Sequence, residues 1–102
     1  MISTTKALNA LAQQGYLVWK WERDLEMDCT CPHVSSDLFT VSDETYGDES
    51  FLYFRCRNPS VARDTAKILR DAGGKPDFKW CKDNPSLFEI QVLYFKGWHH
   101  WE

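Results

Sequence analysis

The pairs Asn58-Pro59 and Gly73-Gly74 bracket one uninterrupted helical pattern, and that pattern divides the chain. Asn58 can offer a side-chain oxygen to the first-turn N–H groups, and Pro59 suits the first helical position because its missing N–H would be unpaired there anyway. Between the brackets Val61, Thr65, Ile68, Leu69 and Ala72 recur at helical spacing, while Arg63, Lys67 and Arg70 face away. A helix of this kind cannot stand alone, because its apolar stripe needs a surface to cover. The stretches on either side must supply it.

A shorter helix is predicted over residues 4–14. Ser3 or Thr4 is placed to cap it, Leu8, Leu11 and Ala12 fall on one stripe, and Gly15 sits where a terminating glycine belongs. Strands are predicted over 16–23, 38–41, 51–57, 78–82 and 87–95, rich in branched and aromatic residues. In the first of these, Leu17, Trp19 and Trp21 share one face, and Tyr16, Val18 and Lys20 share the other. The stretch from about Asp24 to Asp37 reads as irregular, and Asp43–Ser50 as a polar turn. Asn84-Pro85-Ser86-Leu87 fits a type I turn, and a last strand apolar on both faces suggests a central place in its sheet. The expected order is α-β-β-β-α-β-β in one α+β domain spanning 1–102. A mainly antiparallel five-stranded sheet would carry both helices on one face. Tyr53, Phe95 and Trp98 would lie on the other face, which is then partly exposed or covered by a partner or by a second copy in a homodimer.

With 102 residues, 43% of them hydrophobic and 26% charged, the chain is too short for a multidomain enzyme and too apolar for a disordered tail. No apolar run approaches the ~18 residues that a membrane-spanning helix needs. The start, Met1-Ile-Ser-Thr-Thr-Lys6, lacks the apolar segment of a secretory signal, so the expected compartment is the cytoplasm, with thiols reduced.

The net charge of −3 conceals a segregation. Residues 24–50 carry eight acids (Asp24, Glu26, Asp28, Asp37, Asp43, Glu44, Asp48 and Glu49) and neither Lys nor Arg. Residues 55–82 carry eight basic side chains against Asp64, Asp71 and Asp77. Such a separation can steer a charged partner or simply be a solvated face.

Few motifs carry chemistry. Cys29-Thr-Cys31-Pro-His33 places two thiols and an imidazole within five residues, and they could converge on zinc from a tight loop, with Cys56, Cys81, His99 or His100 as a fourth ligand. The spacing lacks the two intervening residues usual between zinc cysteines, and no second such pair exists. Cys56 shares a face with Leu52 and Phe54 and reads as core. Gly73-Gly74-Lys75-Pro76 follows a helix instead of preceding one, so it is not a phosphate loop, and Asp43–Glu49 misses the spacing of a calcium loop. No hydrolase, zinc-protease or deaminase motif is present.

Trp98-His99-His100-Trp101 ends the chain with two large aromatics suited to anchoring a partner or to covering one end of the sheet. The expected function is therefore a small non-enzymatic interaction module, an inhibitor in style. Asp37, Asp43, Glu44, Asp48, Glu49, Trp98 and Trp101 would dock on a protein partner with a basic surface, such as nucleic-acid machinery. In size and charge pattern alone it resembles small phage-borne inhibitors of host nucleases, anti-CRISPR proteins among them. The alternative is a zinc-stabilised domain that binds RNA or DNA through Arg63, Lys67, Arg70 and Lys79.

Overall fold

The computed structural model describes residues 2–26, 28–46, 49–80, 87–94 and 100–101, with the backbone alone at 45–46, 49, 79–80, 91–94 and 100–101. The elements are α1 (Thr4–Gln13), β1 (Val18–Asp24), β2 (Cys29–Ser35), β3 (Thr40–Tyr46), β4 (Glu49–Cys56), α2 (Pro59–Asp71), β5 (Pro76–Trp80), β6 (Phe88–Tyr94) and β7 (His100–Trp101). The class is α+β. The single five-stranded sheet is not what forms. The strands divide into a three-stranded sheet, β1-β2-β7, and a four-stranded sheet, β3-β4-β6-β5, antiparallel throughout.

The difference lies in the stretch expected to be irregular. Residues Cys29–Ser35 form β2, in continuous register with β1 from Asp24 opposite Cys29 to Val18 opposite Ser35. Pro32 argued against a strand here because it lacks an N–H. It is tolerated because β7 reaches only Cys29 and Thr30, so β2 has one described neighbour at Pro32. The polar turn is also shorter than expected. β3 continues to Tyr46 and β4 begins at Glu49, directly opposite. The type I turn at 84–87 and Cys81 lie outside the described residues, apart from Leu87.

Both helices are bounded as their local chemistry dictates. Ser3 Oγ accepts from Lys6 N–H at 3.1 Å, and Asn58 Oδ1 accepts from Ser60 N–H at 2.9 Å. At the other ends the chain turns left-handed at Gly15 (φ 80°) and Gly73 (φ 99°). The following N–H groups reach back to Leu11 O and Leu69 O, at 3.0 and 2.9 Å. A side chain at either glycine would strain that backbone.

The helices meet the four-stranded sheet on one face. Leu8 and Leu11 of α1, Leu69 of α2, Leu52 and Phe54 of β4 and Ile90 of β6 are fully buried. Phe39 meets Phe54 edge-on at 5.5 Å, and Cys56 is 3% exposed within this core. The other sheet joins the same core through one face of its hairpin, where Trp19 and Val34 pack against it. Trp19 donates its indole N–H to Asn9 on α1 at 3.0 Å.

The face of the four-stranded sheet away from the helices is not a bare aromatic surface. Tyr53 is 6% exposed, with Phe51 at 6.4 Å and the Arg55 guanidinium 5.4 Å over its ring. Arg55 pairs with Glu89, its cross-strand neighbour, at 3.6 Å. Phe95 and Trp98, expected on this face, lie outside the described residues. No helix among the described residues is long and apolar enough to cross a membrane.

Candidate interaction surface

The β1–β2 hairpin gathers the acidic residues that the sequence only counts. Because side chains alternate along a strand, Lys20, Glu22 and Asp24 share a face with His33, Cys31 and Cys29, their partners across the ladder. Glu22 is held from both sides, by Lys20 at 3.1 Å and by His33 Nδ1 at 3.3 Å. The turn beyond is shaped by its own carboxylates. Asp24 Oδ1 accepts from Glu26 N–H at 3.0 Å, and Asp28 pairs with Arg23 across the turn. Asp28 takes a left-handed φ of 51°, a conformation that Asp tolerates better than most residues. At the tip Leu25 is 84% exposed, flanked in sequence by Asp24 and Glu26.

A second sheet adds to this charge. Burial pushes the Cys31 thiol above its ordinary range, and the fields of Asp24, Cys29, Glu22 and Asp43 add to the shift. Asp24 and Glu22 belong to β1, whereas Asp43 belongs to β3. Carboxylates from both sheets therefore bear on one thiol. Cys29, fully buried, is raised first by burial and then by Asp24 and Asp28, against an opposing effect of Arg23. Both thiols are held in the protonated form, the weaker nucleophile and the weaker metal ligand.

The residues expected to bind a partner are dispersed differently. Asp43 is half-buried and Glu44 exposed, both on β3. Glu49 is placed only by its backbone, opposite Tyr46. Asp37 is exposed in a separate groove of about 550 Å³, between the β2–β3 connection and the start of α2, which Arg55 and Arg57 also line. Asp48 and Trp98 lie outside the described residues. Trp101 is placed by its backbone, paired opposite Cys29.

The expected zinc loop is an extended strand. Cys29, Cys31 and His33 occupy alternate positions of β2, and such positions stand about 6.6 Å apart along a strand. Zinc holds its ligands at about 2.0–2.3 Å. Among the described residues no three His, Cys, Asp or Glu side chains gather to hold a metal. Of the fourth-ligand candidates, Cys56 is in the core, His100 pairs by its backbone opposite Thr30, and Cys81 and His99 lie outside the described residues.

The basic helix presents Arg63, Lys67 and Arg70 outward as expected. Anions are interleaved with them. Lys67 donates to Asp71 at 2.8 Å, a contact that raises its pKa, and Asp64 accepts from the Tyr16 hydroxyl at 3.3 Å. Lys79 stands opposite Glu89 in the β5–β6 ladder.

Comparison with known families, with curated proteins and with solved structures finds no match. The surface has to be read from its own chemistry. Two of its residues, Glu22 and Leu25, escape a reading by charge blocks. Glu22 precedes the acidic block in sequence and joins it only by pairing across the hairpin. Leu25 is a single apolar residue whose exposure depends on its place at a strand turn.

Proposed function

We propose that this chain is a non-enzymatic interaction module that seats the acidic tip of its β1–β2 hairpin on a basic surface of a protein partner. The observation that carries this reading is Leu25, an apolar side chain 84% exposed between Asp24 and Glu26. Burying a leucine against a partner contributes about 1.5–3 kcal/mol, which a tip designed only for solvent would forgo. The neighbouring carboxylates steer the approach and set the orientation, as charged rims do. Asp43 on the neighbouring sheet, whose field reaches Cys31, extends the same sign of charge.

A surface lined with Lys and Arg is the complement, and proteins that grip nucleic acid present such surfaces to phosphates. Carboxylates supply the same charge in their place. The protonated state of Cys29 and Cys31 supports a binding role over nucleophilic chemistry at this tip.

The test is capture on immobilised protein, followed by binding measurements on the purified partner. The wild type should hold a basic partner, release it as salt rises, and lose it to added polyanion. The variant Asp24→Lys/Glu26→Lys should lose at least tenfold in affinity, on the order of 1.4 kcal/mol. Leu25→Ser should weaken binding without changing its salt dependence. Equal affinity of all three proteins removes the hairpin tip from the function. Salt-dependent binding of RNA or DNA by the chain itself, lost in Arg63→Ala/Arg70→Ala, would replace this reading with the nucleic-acid one.

A further inference from the structure

The ladder between β3 and β4 ends at the pair Thr40 and Arg55, and beyond it the two chains part. The groove of about 550 Å³ opens there, against the start of α2. Its size is that of a small-molecule site, roughly 300–1,000 Å³. Much of its lining is apolar: Phe39 is buried, Val61 and Leu87 are half-buried, and Leu38 stands 40% exposed. Both walls are held in place. The Ser36 hydroxyl donates to Tyr16 O at 2.7 Å and accepts from Leu38 N–H at 3.1 Å, which fixes the chain on either side of Asp37. On the other wall the Cys56 thiol donates to Asn58 O at 3.6 Å, which fixes the chain on either side of Arg57.

The charges of the lining divide into engaged and unengaged. Arg55 is engaged, by Glu89 at 3.6 Å and by the face of the Tyr53 ring. Asp37 and Arg57 are exposed, and neither side chain has a hydrogen-bond or ion-pair partner among the described residues. They line one groove without pairing with each other. Opposite charges arranged in this way complement a molecule that carries both signs. The apolar lining asks the same molecule for an apolar body.

We propose that this groove binds a small zwitterion with an apolar side chain, a free amino acid such as leucine or a dipeptide of such residues. The Arg57 guanidinium takes the carboxylate through its forked N–H donors, and Asp37 takes the ammonium. The apolar side chain lies against Leu38, Phe39 and Val61. A ligand of one sign alone is disfavoured, because a bare carboxylate meets Asp37 and a bare amine meets Arg57. None of these residues belongs to the hairpin tip, so the site stands or falls separately from the partner surface proposed above.

Titration of isotope-labelled protein with leucine and with leucyl-leucine, followed by NMR, tests this. The amide signals of Asp37, Leu38, Phe39 and Arg57 should move and saturate by about 10 mM of at least one of the two. The tighter of the two identifies the source, amino acid or dipeptide. Acetylation removes the ammonium and amidation removes the carboxylate, and each blocked form should bind on the order of tenfold more weakly. Arg57→Gln should abolish the discrimination against the amide, and Asp37→Asn the discrimination against the acetylated form. Neither side chain has a partner to lose, so both variants should keep the wild-type unfolding midpoint. The proposal is overturned if neither zwitterion moves these signals, if the blocked forms bind as tightly as the free ones, or if the two variants retain both preferences.

Discussion

The two sheets solve the same problem in different ways. The four-stranded sheet lays one face on two helices and closes a core of Leu, Ile and Phe, with Phe78 of β5 left 41% exposed beside buried Ile90. The three-stranded sheet contributes one face, through Trp19 and Val34, and turns the other toward carboxylates, thiols and solvent. Stability is thus concentrated in one sheet and surface chemistry in the other. Substitutions that damage folding and substitutions that damage binding should separate along the same line.

The largest expected effect lies in the core. Phe54→Ala should cost about 3–5 kcal/mol, and Leu69→Ala about 2–5 kcal/mol, because each leaves a cavity between a helix and the sheet. Chemical denaturation with an unchanged m-value would measure it. A loss below about 1 kcal/mol at both sites would mean that the core lies elsewhere. Next comes the ion pair on the far face. Glu89 is 7% exposed, and the Arg55 Nε is buried without a hydrogen-bond partner, so Arg55 depends on Glu89 for compensation. Glu89→Ala should cost about 2–3 kcal/mol, less than a fully buried pair because the Arg55 side chain is 31% exposed. Replacing both partners, as Arg55→Met/Glu89→Leu, should recover much of that loss.

These core features were largely legible in the sequence, for physical reasons. Helix α2 announces itself through signals confined to sixteen residues, Asn58 to Gly73, each acting on its neighbours' backbone. The alternation in β1 and β4 likewise fixes which side chains go inward before any pairing is known. Strand β2 was hidden because nothing local requires it. Cys29-Thr-Cys-Pro-His-Val-Ser35 has one β-branched apolar residue and a proline, and its order comes from the ladder it shares with β1. Missing β2 hides the second sheet, and with it the meeting of Glu22, Asp24 and Asp43. A count of acids along the chain cannot show that one of them arrives from another sheet.

Smaller effects test the local signals and the exposed tip. Asn58→Ala should cost about 1 kcal/mol by removing the cap on Ser60 N–H, and Asn58→Ser should restore most of it. Leu25→Ser should change stability by no more than about 0.5 kcal/mol, since an exposed residue away from any packing contact has little to lose. The contrast with Phe54→Ala sharpens the division between the sheets. A large loss of stability at Leu25 would mean that the tip is packed.

The smallest effect is also the most specific, because it reads the contact between the two sheets. The folded-state pKa values of Cys29, Cys31 and Cys56 are raised above the ordinary 9.0, with burial the first cause in each. A thiol raised on folding contributes stability that is fully present below its unfolded pKa and is lost as pH rises from there through the folded value. Unfolding midpoints should therefore hold level at neutral pH and fall above about pH 8.5. For Cys31 part of the shift comes from Asp43 on the other sheet. Asp43→Asn should lower that thiol's pKa and speed its alkylation at fixed pH, read site by site by mass spectrometry. Cys29 and Cys56, whose shifts do not involve Asp43, serve as internal references and should react as before. Equal acceleration at all three would signal general loosening of the fold. Acceleration confined to Cys31 would demonstrate that a carboxylate on β3 acts across the gap to β2, where the acidic surface joins the two sheets.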